Sequence, residues 1–203
     1  MLRFLIILKR WIKLVLKNPF LIAVRGPGIL EFLRALKIPY ESVHSVCQEF
    51  PQRFLGLAGV DPFRGKGRIK GSRSRSQGIW LCWGPHLYPH WCELPPDHRK
   101  YYPYYAKCCE LDIPIMMQVG PNLIYSRNRR LPSVGRPIYL DQVAIDFPGL
   151  KLIGIHIGIP WTEEMISMCW KHENFILLAM LMRLSTGLKL LFIMPKIYTA
   201  DTK

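Results

Sequence analysis

The stretch LKLIGIHIGIPWTEEM, residues 150–165, carries the fold. Its first part, LKLIGIHIG, is apolar with little polar alternation. That is the pattern of a strand buried in a parallel sheet. The run reaches a polar residue, His156, where such a strand leaves the sheet. A helix follows, TEEMISMCWKH (162–172). Thr162 reads as its N-cap, and Glu163 and Glu164 place carboxylates in the first turn, where the helix dipole favours negative charge.

The same unit recurs outward from this stretch. RFLGLAGVD (53–61) predicts a buried strand ending at Asp61-Pro62, and IPIMMQVG (113–120) predicts another. WLCWGPHLYPHW (80–91) reads as a strand and its exit loop. Helices are expected over 29–37 and over 40–50, the second with Val43, Val46 and Phe50 near helical spacing. Two more are expected over 97–112, with Tyr101, Tyr102, Tyr105, Ala106 and Cys109 on one face, and over 139–147, stopped before Pro148. Apolar strands separated by helices predict a parallel sheet covered on both faces. Polar residues sit at the strand exits: Asp61, His86, His90, Gln118 and His156. In a parallel α/β fold those exits share one face, where active sites form.

The chain has 203 residues, enough for one domain with a real core. A full (β/α)₈ barrel takes about 250 residues. The expected fold class is therefore α/β, an incomplete (β/α)₈ TIM barrel with roughly four to five recognisable βα units. The six cysteines show no CxxC spacing and read as scattered reduced thiols, consistent with a cytoplasmic protein.

A net charge of +14 invites a nucleic-acid or membrane partner. The charge, however, is concentrated in residues 1–26, 64–76 and 176–203, where the only acid is Asp201. The rest of the chain is near neutral. Lys9, Arg10, Lys13 and Lys17 interrupt the apolar N-terminal run, so no membrane span is expected there. As a basic amphipathic helix, that run would suit a membrane surface.

Several phrases carry a resemblance to a known family: RFLGLAGVDP, HLYPHW, YYPYYAKCCELDIPIMMQVG, LPSVGRPIYLDQVAIDFPGLKLIGIHIG and PWTEEMISMCWKH. They resemble the amidohydrolase-related family, in its aminocarboxymuconate-semialdehyde decarboxylase-like branch, over about residues 38–63 and 85–174. The resemblance implies a barrel with a divalent metal, usually Zn²⁺, at the strand exits, and a small carboxylated substrate that is hydrolysed or decarboxylated. His156 matches the sixth-strand histidine of the family, a metal ligand or proton shuttle. Gln118 stands where the family has its fifth-strand histidine. The chain has no HxH pair and no eighth strand with the family's aspartate. His86 and His90 flank a strand exit and are expected to bind substrate. Trp161 is expected to contact the helix entry, to rim the pocket and to bind substrate.

The resemblance fails in the basic segments. Residues 1–28, 64–84 and 175–203 are atypical within a single truncated domain. In each, a neighbouring reading frame permits codons for family-like helix and strand sequence, which would also explain the missing acids. The expected function is that of a metal-dependent hydrolase or decarboxylase of a small carboxylated molecule, incomplete in this chain, with a small-molecule substrate and no nucleic acid as partner. The alternatives are a catalytically dead barrel remnant and a basic nucleic-acid or membrane-surface binding protein.

Overall fold

Strand formation follows the apolar runs. The computed structural model describes residues 20–24, 38–51, 53–64, 84–121 and 131–178. Its strands are β1 (Phe20–Ala23), β2 (Leu55–Gly59), β3 (Gly84–Leu87), β4 (Ile115–Gln118), β5 (Leu152–Ile155) and β6 (Phe175–Leu178). All pair in parallel, in the order β1-β2-β3-β4-β5-β6. The helices are α1 (Tyr40–Glu49), α2 (Pro89–Cys92), α3 (Tyr102–Glu110), α4 (Leu140–Asp146) and α5 (Thr162–Lys171). Sequential parallel strands joined by helices are the arrangement of a (β/α)₈ barrel, here an incomplete one.

Alternation along the strands divides the core. Ile115, Met117, Leu152 and Phe175 pack with Tyr105, Val143 and Met165 of the helices. Leu57, Met116, Ile153 and Ile155 form a separate cluster on the opposite face, joined by Phe20, Ile22 and Leu178. That second cluster contains strand residues only. Both faces of the sheet are thus apolar, as expected for a parallel sheet covered on both sides. In a barrel the inward face is covered by the other strands, so its residues are as apolar as those under the helices.

Other local expectations shift. Phe20–Ala23 is a strand, not part of an amphipathic helix, and Phe175–Leu178 pairs with β5 although the sequence around it lacks clear punctuation. Six strands stand where four to five units were legible. Phe50 is exposed, and Cys47 takes the buried place on α1 with Val43. On α3 the buried residues are Tyr104, Tyr105 and Cys108, while Ala106 is exposed. The buried face is thus turned by about one residue from the expected one. Thr162 is the first helical residue of α5; its N-cap is Trp161, with no side-chain cap. The expected helix over 29–37, the strand residues 80–83 and most of the three atypical segments lie outside the described residues.

Candidate strand-end pocket

Three strand exits meet at one edge of the sheet. Register sets their positions: Gly59 pairs with His86, His86 with Met116, and Met116 with Ile153. His86 therefore shares the inward face with Met116 and Ile153, and Gln118 lies one layer further toward the exit, opposite Ile155. His156 follows Ile155 directly. Strict alternation would aim His156 at the helices, as it does Leu152 and Gly154. Instead the strand stops. His156, Ile157 and Gly158 adopt φ values of 71°, 49° and 69°. Left-handed backbone is costly for an isoleucine and marks a turn held in place by its surroundings. The result is that His156 Nε2 lies 3.2 Å from Gln118 Nε2.

The HLYPHW segment supplies the rest. Pro89 begins the short α2, which carries His90 and Trp91 inward. Tyr88 stacks on Trp91 at 3.9 Å and meets the His86 ring edge-on at 4.4 Å. His86 and His90 are each only 1% exposed. Burial holds both imidazoles neutral. It lowers the His86 pKa to about 3, with His156 and then His90 pushing the same way. It lowers that of His90 to about 4, again with His156. A neutral imidazole offers one N–H donor and one lone pair. Yet His86 Nδ1, His90 Nδ1 and Trp91 Nε1 have no hydrogen-bond partner among the described residues. Buried polar atoms of this kind are normally satisfied, so their clustering marks a place for water or ligand.

The expected site residues therefore separate. His86, His90 and His156 come together electrostatically. Trp161 stands at the entry to α5: its backbone N–H donates to Gly158 O at 2.7 Å, and its indole lies under the Arg136 guanidinium at 5.6 Å. Arg136 in turn donates to Glu164, which also accepts from the Ile138 backbone N–H at 3.2 Å. Gln118, a departure from the family pattern in sequence, emerges as a side-chain partner of His156. Tyr88 and Trp91 were not singled out by sequence, although both belong to HLYPHW. Two of the described thiols are poor nucleophiles, since burial pushes Cys92 and Cys108 up to about 12.

The donor set does not fit the divalent metal that the resemblance implies. Among the described residues no three His, Cys, Asp or Glu side chains gather as a metal site. All six histidines are among the described residues. Where a second imidazole would face His156, there is the Gln118 amide, a weak ligand for a transition metal.

Comparison with known proteins places this arrangement. The family model of the amidohydrolases matches residues 40–186. The chain belongs to the amidohydrolase family. Among solved structures it is similar to an uncharacterized TIM-barrel protein from Bordetella bronchiseptica, at 18% identity and a TM-score of 0.56. That alignment covers 79% of this chain and 53% of the other. A structure described as amidohydrolase II has 13% identity and the same TM-score, 0.56, over 84% of this chain and 60% of the other. The chain thus spans a little over half the length of these structures, and the likeness is one of fold. A 5-carboxyvanillate decarboxylase from Novosphingobium aromaticivorans, solved with manganese, has 18% identity and a TM-score of 0.48 over 74% of this chain and 47% of the other. That likeness is too slight to bear on the chemistry here. No curated protein matches the sequence.

Proposed function

We propose that this amidohydrolase-family chain receives a small carboxylated molecule at its strand-end pocket, for hydrolysis or decarboxylation, with His156 as the catalytic proton carrier. One observation carries the reading. Histidines from the exits of β3 and β5 converge, and two of them keep a buried nitrogen without a hydrogen-bond partner among the described residues. His86 and His90 would hold the substrate with neutral N–H donors, and the Trp161 loop would rim the entrance. Zinc forms no part of this reading, because the donors do not fit it. The five described cysteines are free thiols, which supports a reducing, cytoplasmic setting.

The amide at position 118 favours a second reading, a pocket that binds such molecules without converting them. Titration of the chain with benzoate and with short aliphatic carboxylates, followed by the histidine ring NMR signals, tests binding. Assays for released CO₂ and for hydrolysed amide or ester test turnover. Saturable shifts at His86 and His90, with turnover abolished by His156→Asn, are expected for the enzyme. Shifts without turnover support the binder. No shift for any carboxylate refutes both.

A further inference from the structure

We propose that Gln118 is a positioning residue: it engages the Nε2 atom of His156 in a hydrogen bond at the point where a second imidazole would complete a metal pair, so that the pocket does not take a metal ion. The inference rests on the pocket reading above, but on different atoms. An amide NH₂ group only donates. With the amide NH₂ group toward the ring, the His156 nitrogen accepts at 3.2 Å and its ring proton lies on Nδ1. The lone pair used is the one a metal would need.

The spacing is informative. Two nitrogens bound to one tetrahedral Zn²⁺ at ~2.0–2.1 Å lie about 3.3 Å apart. Gln118 and His156 sit at that separation, bridged by a hydrogen. The Nε2 atoms of glutamine and histidine lie the same number of bonds from Cβ, so Gln118→His would place an imidazole nitrogen where the amide nitrogen now lies. The backbone is fixed on both sides. Gln118 pairs with Ile155, and the left-handed turn at His156–Gly158 points the second ring back toward β4.

The test uses the full chain, stripped of metal and dialysed against ZnCl₂ or MnCl₂ alone, with retained metal measured by elemental analysis and histidine rings followed by ¹⁵N NMR. The wild-type chain is expected to retain no stoichiometric metal and to show His156 with its proton on Nδ1. Gln118→Ala should alter that tautomer signature, and in Gln118→His added Zn²⁺ should perturb the nitrogens of both imidazoles. Stoichiometric metal on the wild-type chain that shifts His156 would overturn the proposal, as would a wild-type tautomer protonated on Nε2. A folded Gln118→His chain whose His156 nitrogens do not respond to added Zn²⁺ would do the same. If that variant does not fold, the two wild-type measurements decide. Benzoate titrated into the same metal-free chain tests the carboxylate reading separately, and its failure would leave the metal result standing.

Discussion

Acidification should unfold this chain earlier than its carboxylates require, because two neutral histidines are buried in the pocket. The perturbation is a pH titration with and without His86→Gln and His90→Gln. Both imidazoles have folded-state pKa values below the unfolded value of 6.5, about 3 for His86 and about 4 for His90, each chiefly from burial. With a depressed folded pKa, the unfolded chain takes up the proton first. The stability they carry is therefore complete above about pH 6.5 and is lost as pH falls toward about 4. Each contributes a slope of about 1.4 kcal/mol per pH unit in that window. Together they remove roughly 4 kcal/mol between about pH 6 and about pH 4.5, against a total stability of about 5–15 kcal/mol for a domain. Urea melts across this range, in the presence of chelator, give unfolding free energy against pH. The double variant should show a slope shallower by nearly two protons, and each single variant by nearly one. Equal slopes in wild-type and double-variant chains would show that these imidazoles are not held neutral.

Other predictions concern the framework of the pocket. Gly158→Ala should cost about 3 kcal/mol, from left-handed strain and overpacking. The glycine has φ +69°, and a Cβ there would lie 2.4 Å from Met165 Cγ and 2.8 Å from Pro137 Cγ. A denaturant midpoint equal to wild type refutes that account. Glu164→Gln should weaken the tie between α5 and the segment before α4, lowering stability by about 1 kcal/mol. Arg136 and the Ile138 N–H would lose a charged acceptor, and hydrogen exchange at Ile138 should rise; unchanged exchange counts against it. Nucleotide sequence across codons 10–26, 64–86 and 174–203 should encode family-like segments in a shifted frame. Its absence there would end the proposal that residues 1–28, 64–84 and 175–203 are out of frame.

Sequence revealed the strands better than the surfaces. Runs such as IMMQ and LIGI have few alternatives once helices separate them, and each became a strand. The α3 face was legible only in part, with Tyr101 and Tyr105 buried as expected, because its candidates were tyrosines, which suit either surface. Their hydroxyls decided it. Tyr105 donates to Pro96 O at 2.6 Å and is buried, whereas Tyr102 reaches the exposed Asp146 at 2.9 Å. The end of β5 was hidden for another reason. Ile157 is a poor left-handed residue, so IGIHIG looks like continuous strand, and only tertiary packing shows the chain turning at His156.

That turn also explains why a histidine on a strand of the wrong parity can serve the pocket. Ile153 and Ile155 belong to the inward cluster, whereas Leu152 packs with the helices. On the helix side of Gly154 there is no room, since a Cβ would lie 2.8 Å from Met165 Cε and 3.0 Å from Phe175 Cζ. A straight strand would carry His156 toward this side, away from Gln118. Left-handed backbone at His156, Ile157 and Gly158 reverses its direction and brings it to the Gln118 amide. Gly158 permits the turn to pack between Met165 and Pro137, and Gly120, itself at φ +109°, lets the β4 exit approach Ile159 O. The backbone strain and the close glycine contacts thus act on one geometric outcome, the meeting of residues 118 and 156. The side chain at 118 then sets the chemistry of that meeting: an imidazole would offer a metal a second nitrogen beside His156, whereas the amide hydrogen-bonds the ring's Nε2.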